Sequence, residues 1–430
     1  MSKQISKYHI ITYGCQMNAS DSERIAAIFE QYGCSSVSDW KEADVVIMNT
    51  CSIKQSAEDR VVGKARAMSQ YKEYNPDLKV VITGCMAPRG DAVAKATGVD
   101  VVITIKDLAM LPQKLGMQKP TSDELAQNYF SIAPKYSSPF QVYIPIMTGC
   151  DNFCTFCVVP FTRGREYSRP MIDILNEVEI ALRNGAREIT LLGQNVNSYE
   201  FGFVELLKKI NALPGDFWVR FVSSNPQDMS TELIDTIATS EKLCNYIHFA
   251  VQAGNNRILK RMNRRHTIAQ YLALYDRMKE KMPDVGISTD IIVGFPSETD
   301  EEFQDTVRLM EQVKYDMAYI SKYSARTNTP AWRMKDDVSI DEKKRREEVL
   351  TTILKRTAKE NAESLVGQTR KVLVEKIGHR GQLVGKDASY RTVSITNTVD
   401  ESLIGQFVFV TITKSNGLGV DGELVTEFGI

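Results

Sequence analysis

The stretch VYIPIMTGCDNFCTFC, residues 142–157, joins an apolar run to a Cys-x3-Cys-x2-Cys array. The run VYIPIM is rich in residues that favour β-strands, and a series of alternating β and helical segments follows it. Three cysteines, Cys150, Cys154 and Cys157, lie together in the loop directly after this run. Because β/α folds place their chemistry in the loops at the carboxyl ends of the strands, the stretch predicts a β/α barrel with three thiols at the mouth of its first strand.

Length and composition describe an ordinary globular protein. The chain has 430 residues, of which 43% are hydrophobic, and this is enough for the cores of about two to four domains. No apolar run reaches the roughly 18 residues that span a bilayer, and the start MSKQISKYHI lacks the apolar segment of a secretory signal. We therefore expect a cytoplasmic protein without a membrane partner. The formal net charge of -1 means that any nucleic-acid interface must come from local patches.

The N-terminal part of the chain alternates β runs with helical segments. The β runs are HIITYG, DVVIMNT, KVVITG and VDVVIT, and this alternation is typical of a parallel α/β sheet. Ser20 and Glu23 have the spacing of a capping box, and Gly33 has the position of a C-terminal glycine. We expect the first helix to begin near Ser20 and to end before Gly33. The predicted domain covers residues 6–122.

Two further domains are predicted downstream. After VYIPIM, β runs recur at REITLLG, FWVRFVSS, NYIHFAV, GISTDIIVGF and MAYISKY, which indicates six strands of a partial (β/α)6 barrel. A charged helix that opens with a Ser339/Glu342 capping box is expected to pack against this barrel and complete a domain over residues 136–365. The short runs TRKVLVEK, YRTVSIT and GQFVFVTITK, with glycine turns, predict a small all-β barrel over residues 366–430.

The cysteine loop admits three interpretations: a zinc site, separate core thiols or an iron–sulfur cluster. Eight cysteines are too few for a disulfide scaffold in a chain of this length. Structural zinc takes four closed ligands, and no second Cys-x2-Cys knuckle lies near this one. A 4Fe-4S cluster on Cys150, Cys154 and Cys157 leaves one iron open to a reacting molecule. Phe156 is either a stacking surface for that molecule or a core residue.

Three more cysteines share a context. Cys15 ends HIITYGC, Cys51 ends DVVIMNTC and Cys85 ends VVITGC, so that each follows the carboxyl end of an expected strand. These ends share one edge of a parallel sheet. We expect the thiols to converge on a second three-thiolate cluster; the alternative is three buried cysteines. Cys34 and Cys244 do not follow a strand in this way, and we expect free thiols that act as small hydrophobic residues.

The Cys-x3-Cys-x-aromatic-Cys loop after a first barrel strand resembles the signature of the radical SAM superfamily. The resemblance implies that the open iron chelates S-adenosylmethionine and that an electron from the cluster cleaves it to a 5′-deoxyadenosyl radical. With the tri-cysteine domain and a C-terminal barrel similar to the RNA-binding TRAM module, the chain resembles the methylthiotransferase family over nearly its whole length. The runs YGCQMNASDSE, NTCSIKQSAE, GCMA, CTFCVVPFTRGREYSRP and LLGQNVNSY are most similar to its tRNA branch.

This resemblance implies a reaction and its cofactors. The tRNA branch adds a methylthio group to carbon 2 of isopentenyl-modified adenosine beside the anticodon. It uses two S-adenosylmethionine molecules and two 4Fe-4S clusters, here on Cys15, Cys51 and Cys85 and on Cys150, Cys154 and Cys157, the six residues expected to carry the catalysis. A reductase or flavodoxin-like protein would supply the electrons. The enzyme is expected to be a monomer. The implied contacts to S-adenosylmethionine, besides Phe156, are Gly193, Gln194, Asn195, Gln252 and Gly294, of which the first three are equally compatible with a simple turn.

Basic residues indicate where tRNA binds. The run RILKRMNRRH has no acidic residue; such a run is often only a solvated face, but clustered Lys and Arg also dominate phosphate affinity. A second group follows the cysteine loop and is expected to meet phosphates of the anticodon stem-loop. His9, His248 and His379 have no partner pattern and are expected to be structural. The candidate RNA contacts are Arg163, Arg165, Arg169, Arg257, Lys260, Arg261, Arg264 and Arg265, with His266 beside the last of them.

Two other functions remain open at this stage. The same chemistry could act on another acceptor, either threonylcarbamoyl-adenosine in tRNA or an aspartate of a ribosomal protein. The chain could also be a metal-stabilised RNA-binding module without catalysis. The first alternative differs only in substrate, whereas the second predicts a protein that does not cleave S-adenosylmethionine.

Overall fold

A computed structural model describes residues 4–52, 55–118 and 129–425. The chain forms two compact units. The first contains the residues up to Ser138 together with Met147–Asp151 and Cys157–Arg169. The second contains Pro139–Ile146, Asn152–Phe156 and the chain from Pro170 onward.

The secondary structure alternates through most of the chain, as the β runs predict. The strands are β1 Lys7–Thr12, β2 Ser35–Ser36, β3 Val45–Thr50, β4 Lys79–Gly84, β5 Val101–Val102, β6 Gln141–Pro145, β7 Met147–Thr148, β8 Tyr167–Ser168, β9 Glu188–Leu192, β10 Trp218–Phe221, β11 Tyr246–His248, β12 Gly286–Val293, β13 Met317–Lys322, β14 Thr369–Ile377, β15 Leu383–Asp387, β16 Thr392–Ile395, β17 Phe407–Ser415 and β18 Val420–Leu424. The α-helices are α1 Gln16–Gln31, α2 Gln55–Tyr71, α3 Asp91–Thr97, α4 Leu111–Lys114, α5 Val159–Thr162, α6 Met171–Arg183, α7 Phe203–Asn211, α8 Thr231–Thr239, α9 Asn256–Arg261, α10 Ile268–Lys281, α11 Asp300–Val313 and α12 Ile340–Glu363.

The first unit contains the predicted parallel sheet, in the order β2-β1-β3-β4-β5. Strand β3 is buried along its whole length. Its alternate residues enter two separate cores: Val45 and Ile47 pack with α1 residues such as Phe29, whereas Val46 and Met48 pack with residues of α2. Helices therefore pack on both faces of the sheet, and its strand ends are the place where chemistry is expected.

Helix α1 begins four residues earlier than the predicted Ser20, at Gln16. Cys15 is its N-cap residue, and the backbone N–H of Cys15 donates to Oδ1 of Asn18 at 3.4 Å. The prediction of its start was wrong because cysteine is not a preferred N-cap residue, whereas Ser20 is of a preferred type. The predicted end is confirmed, since α1 ends at Gln31 and Gly33 has a φ of +76°.

The second unit contains the predicted partial barrel. Strands β6, β9 and β10 form one parallel sheet, and β11, β12 and β13 form another. Parallel bridges from Val219 to Leu243 and from Ser224 to Phe249 connect the two sheets. Helix α12 starts at the predicted N-cap Ser339 and contacts β13 and α11. The (β/α)6 arrangement is therefore confirmed.

The C-terminal part of the second unit is a closed five-stranded barrel in the order β14-β15-β16-β18-β17. Its core is aliphatic, with Val374, Ile395 and Val410 completely buried. This confirms the predicted all-β barrel, although β15 and β18 were not among the predicted runs. Within the described ranges, no helix combines the length and apolar composition needed to cross a membrane.

Candidate metal centres

Three cysteines lie at one edge of the first unit's sheet. Strands β1, β3 and β4 are neighbours, and Cys51 and Cys85 directly follow β3 and β4. The pairing continues past the strands, since the N–H of Tyr13 donates to the Asn49 carbonyl at 2.8 Å and the N–H of Cys85 to the Thr50 carbonyl at 2.9 Å. The ends of the three strands are therefore held side by side.

A buried amide network links these strand ends. The Nδ2 of Asn18 donates to Oδ1 of Asn49 at 3.0 Å and to the Thr50 carbonyl at 3.1 Å. Asn49 returns a bond of 2.8 Å from its own Nδ2 to the carbonyl of Asn18. The Oδ1 of Asn18 faces Cys15, accepting from its N–H and lying 3.5 Å from its sulfur. A satisfied buried network of this kind holds its members in one arrangement.

Two glycines allow the approach of these strand ends. A Cβ on Gly14, which has a φ of +118°, would lie 2.5 Å from Oδ1 of Asn18 and 3.0 Å from Cβ of Cys51. A Cβ on Gly84, with a φ of +83°, would lie 2.4 Å from the Thr50 carbonyl oxygen. Only glycine fits such positions, so this arrangement of the strand ends requires a glycine directly before Cys15 and directly before Cys85.

The donor set suits an iron–sulfur cluster better than a single ion. Cys15 is exposed, Cys51 is buried and Cys85 is half-buried, and none of these three is in a disulfide. Among the described residues, no group of three or more His, Cys, Asp or Glu side chains has the arrangement that holds a metal ion. A 4Fe-4S core binds each thiolate on a different iron, so its ligands need not converge on one point. Three cysteine thiols at one sheet edge are the ligand type that such a cluster takes.

The predicted loop of the other trio is held by backbone and side-chain contacts. In the first unit, the N–H of Cys150 donates to the Gly164 carbonyl at 3.2 Å. In the second unit, the N–H of Thr155 donates to the Met262 carbonyl at 3.0 Å. Phe153 has a φ of 47°, a conformation rare for a side chain of its size and often found at functional sites. Cys154 is buried, whereas Cys150 and Cys157 are half-buried, and none of the three is in a disulfide.

Polar groups line the ends of the next two barrel strands. Asn195, predicted to contact S-adenosylmethionine, is buried, and its Nδ2 donates to Oδ2 of Asp228 at 2.8 Å. Gln227 donates to Oδ1 of Asn152 in the cysteine loop at 2.6 Å. The Oδ1 of Asn195 and the Oγ of Ser224 are buried, and neither has a hydrogen-bond partner in the described parts of the chain. Such unsatisfied atoms have a free-energy cost, and the polar groups of S-adenosylmethionine could satisfy them.

The remaining predicted cofactor contacts have diverse surroundings. Gln252 is buried and has a φ of 74°. A Cβ on Gly294 would lie 2.3 Å from Cγ of Lys343, so the close approach at this glycine is to a lysine of α12. Phe156 is half-buried and packs against the core that contains Phe295. Gly193 and Gln194 directly follow β9, next to Asn195.

Models of three protein families match this chain. The Radical SAM superfamily matches residues 144–310, which include the cysteine loop and most of the barrel. Residues 7–104 match a model described as Uncharacterized protein family UPF0004, and residues 363–425 match the TRAM domain. The three matches follow the same order as the N-terminal sheet, the β/α barrel and the small β barrel.

Curated relatives match nearly the whole chain. A tRNA-2-methylthio-N(6)-dimethylallyladenosine synthase of Thermoanaerobacter pseudethanolicus is 40% identical over 97% of this chain and 92% of the relative. The protein of the same name from Syntrophomonas wolfei is 40% identical over 99% of both chains. This chain belongs to the tRNA methylthiotransferase family of radical SAM enzymes. The predicted resemblance is therefore confirmed.

Solved structures support the fold. A radical S-adenosylmethionine methyltransferase, TsrM from Kitasatospora setae, solved with cobalamin and a [4Fe-4S] cluster, has a TM-score of 0.59 at 14% identity and covers 76% of this chain and 77% of its own. The cobalamin-dependent S-adenosylmethionine radical enzyme OxsB has a TM-score of 0.53 at 10% identity, covering 81% of this chain and 56% of its own. At these sequence identities the structural similarity establishes only the fold of this chain, and not its function.

Two of the arginines after the cysteine loop are buried and do not face a surface where RNA could bind. Arg163 is buried, and its Nη2 donates to Oδ2 of buried Asp21 at 2.7 Å. Burial alone would lower the pKa of Arg163, but the charge of Asp21 raises it well above the usual value. Arg169 is also buried, with its guanidinium 5.2 Å from the centre of the Phe130 ring. The prediction that these two contact phosphates is wrong, whereas Arg165 is exposed and pairs with Asp151 at 2.8 Å.

The basic run after β11 also contains two kinds of residue: some contact other protein groups, and others are exposed. Arg257 forms an ion pair with Glu302, and Arg261 donates to the Pro296 carbonyl at 3.3 Å. Arg264 turns inward, and His266 is buried. Burial, followed by the charge of Arg264, lowers the pKa of His266 to about 3, so its ring is neutral. Lys260 and Arg265 are exposed members of this run that form no ion pair within the described residues.

Sequence reasoning missed the residues that hold the cysteines. Asn18, Asn49 and Thr50 connect the strand ends of the first unit. After β10, Gln227 donates to Asn152 of the cysteine loop, and Asp228 accepts from Gln227 and Asn195. A signal was present for the first group, because polar residues directly precede Cys51 in the otherwise apolar run VVIMNTC. The buried Cys34 and Cys244 lie apart from both trios in the chain, and burial raises the pKa of each thiol.

Proposed function

We propose that this protein adds a methylthio group to carbon 2 of a dimethylallyl-modified adenosine beside the anticodon of tRNA. The observation that carries this proposal is the meeting of three cysteine-bearing strand ends at one sheet edge, in a chain that also has a radical SAM cysteine loop. A chain with one trio would support radical chemistry alone. A second open cluster provides a separate position for the sulfur. The names and full-length identity of the curated relatives agree with this substrate.

Each trio would hold one 4Fe-4S cluster. Cys15, Cys51 and Cys85 form one ligand set, and the second consists of Cys150, Cys154 and Cys157. When bound, the clusters and S-adenosylmethionine would supply the radical and the methyl transfer, so that no acid or base side chain is required. The protein's contribution is positional: three thiolates would hold each cluster, and the Asn18 network holds the segments of the first set in place.

Buried polar atoms and exposed cations would form the cofactor pocket and the RNA surface. The unsatisfied Oδ1 of Asn195 and Oγ of Ser224 would bind polar atoms of S-adenosylmethionine. Gln252, which follows β11 and has a φ of 74°, is a further candidate contact. The exposed Lys260, Arg265 and Arg165 would contact tRNA phosphates, together with the TRAM barrel. We further propose three domains over residues 6–122, 136–365 and 366–430, a cytoplasmic monomer, and electrons from a reductase or flavodoxin-like donor.

Iron and sulfide quantitation tests the two ligand sets. Reconstituted wild-type protein is expected to hold about eight irons, four in each cluster. A variant with Cys15, Cys51 and Cys85 all changed to alanine should lose about half of them, and a variant of the other trio should lose the other half. The matched control changes Cys34 and Cys244 to alanine and should keep all the iron. Unchanged iron in either trio variant would remove the corresponding cluster from the proposal.

Nucleoside mass spectrometry tests the substrate. A deletion strain should lose the methylthio form of dimethylallyl-adenosine and accumulate the form without sulfur. Wild-type protein should restore it, and neither trio variant should. If the methylthio form of threonylcarbamoyl-adenosine or a ribosomal-protein aspartate changes instead, the acceptor is wrong while the chemistry stands. A colourless protein that holds zinc and leaves S-adenosylmethionine intact would support the RNA-binding module instead.

A further inference from the structure

The turn after α9 contacts the cysteine loop at several points. The Nδ2 of Asn263 donates to the carbonyls of Asn152 at 3.1 Å and Phe153 at 3.0 Å. The Oγ1 of Thr155 donates to the Arg261 carbonyl at 2.9 Å. The sequence KRMNRRH, which reads as a basic RNA-binding run, therefore holds residues 152–155 of the loop in place.

Arg264 is the charged member of this contact. Its Nη1 lies 3.6 Å from the sulfur of Cys154, and its Nη2 donates to the Ala250 carbonyl at 2.7 Å. The second bond fixes the plane of the guanidinium, so that the first N–H points at the sulfur. The Nε of Arg264 is buried and has no hydrogen-bond partner among the described residues, so the side chain lies inside the protein rather than in solvent. A permanent positive charge thus lies beside a predicted cluster ligand.

We infer that Arg264 is a positioning residue that donates a hydrogen bond to the Cys154 sulfur and thereby raises the reduction potential of the cluster held there. This rests on the proposed function, because it requires a cluster on Cys154. Hydrogen bonds to cluster sulfurs and nearby charge set the potential of iron–sulfur centres. Uptake of one electron from the flavodoxin-like donor would make a bound cluster more negative by one charge, and the guanidinium would stabilise that form without transferring a proton.

The test is a redox titration followed by electron paramagnetic resonance. The parent is the full chain with Cys15, Cys51 and Cys85 changed to alanine, so that one cluster remains. In this background Arg264→Met should lower the equilibrium constant for reduction about tenfold, which is about 59 mV for a one-electron couple. Arg264→Lys keeps the charge but not the planar fork, and it should give a smaller decrease. The matched control Arg265→Met changes the exposed neighbour and should leave the midpoint unchanged.

Several outcomes would overturn the inference. One is an Arg264→Met midpoint equal to that of the parent at equal iron content. If Arg264→Met fails to assemble a cluster, an unchanged midpoint in Arg264→Lys and in Arg264→Gln has the same force. Loss of tRNA affinity with a reduced salt dependence in Arg264→Met, at an unchanged midpoint, would make Arg264 a phosphate contact instead. A parent without iron would refute the proposed cluster itself, and this is seen before any Arg264 variant is compared.

Discussion

Asn18 shows how a single buried amide can hold two cysteine-bearing segments. Its side chain bonds to the residues before Cys51 and faces the backbone of Cys15. Asn18→Ala would leave the Oδ1 of Asn49 without this donor, and an unsatisfied buried acceptor costs about 1–3 kcal/mol. We expect a lower melting temperature, faster hydrogen exchange in residues 45–50 and a loss of iron from the N-terminal trio.

The control for this prediction is Gln31→Ala. Gln31 is an exposed amide at the other end of the same helix, so its loss should change neither exchange nor iron content. Calorimetry, hydrogen exchange and iron quantitation on both variants make the comparison. If Asn18→Ala and Gln31→Ala behave alike, the amide network does not hold the trio.

His266 gives a pH-dependent prediction. Its pKa is about 3 in the folded protein because of burial and the charge of Arg264, and about 6.5 in an unfolded chain. Between these values the unfolded state binds more protons, so the free energy of unfolding falls as the pH falls, by about 1.4 kcal/mol per unit from this group. The contribution is complete above pH ~6.5. His266→Leu should weaken the pH dependence in this window.

Urea unfolding at pH 7 and at pH 5 measures this effect. The wild-type midpoint should fall more than that of His266→Leu between these two conditions. His379→Leu provides the control because His379 is exposed in the C-terminal barrel, and it should retain the wild-type dependence. An identical pH dependence in all three proteins would show that His266 does not govern this part of the acid response.

At the scale of secondary-structure elements, the end of β4 depends on Gly84. Gly84→Ala introduces a Cβ 2.4 Å from the Thr50 carbonyl oxygen and strains a φ of +83°. We expect the strand ends of β3 and β4 to separate, which would move Cys85 away from Cys51. The measurable result is a loss of about four irons, one cluster, with the cluster of the other trio retained.

Gly33→Ala is the control that introduces backbone strain at a positive φ without a steric clash of the new Cβ. Gly33 has a similar φ of +76°, but a Cβ there has nothing within 4 Å. It should lower stability by about 1 kcal/mol or more through strain and leave the iron content unchanged. Equal iron loss in the two variants would mean that backbone strain, rather than the closeness of the strand ends, accounts for the effect.

The sequence predicts those elements whose residues form a local pattern of apolar and polar side chains. Apolar β runs locate β1, β3 and β4, and the position of Cys51 after its run follows directly. The contacts that could not be predicted join distant parts of the chain. Arg163 binds Asp21, 142 residues away, and Arg264 reaches Cys154 across 110 residues. A run of basic residues does not reveal which side chains find buried acceptors, so the predicted RNA surface included arginines that face inward.

At the scale of the whole molecule, Arg220 joins the β/α barrel to the TRAM barrel. From β10 it donates to Oε2 of Glu188 at 2.6 Å and to the carbonyls of Asp387 and Ala388 at 2.7 Å and 2.9 Å. Its side chain is 2% exposed and that of Glu188 is 5% exposed, so this charge pair is removed from water. The guanidinium also lies 5.0 Å from the centre of the Tyr390 ring. The small barrel is thus attached through a buried charge.

Arg220→Met tests whether this attachment makes the second unit a single cooperative structure. Removal of one partner of a buried pair costs about 3–5 kcal/mol, because the Glu188 carboxylate remains buried without its cation. We expect calorimetry to show the TRAM barrel unfolding before the β/α barrel, and tRNA affinity to fall while the iron content stays constant.

The matched control is Lys371→Met. Lys371 pairs with the exposed Asp216 at 2.7 Å across the same junction, and its substitution should lower the free energy of unfolding by at most about 1 kcal/mol. A single transition at the wild-type temperature in Arg220→Met would mean that the two barrels are held together by their apolar contacts, such as that of Trp218 with Phe407, rather than by the buried arginine.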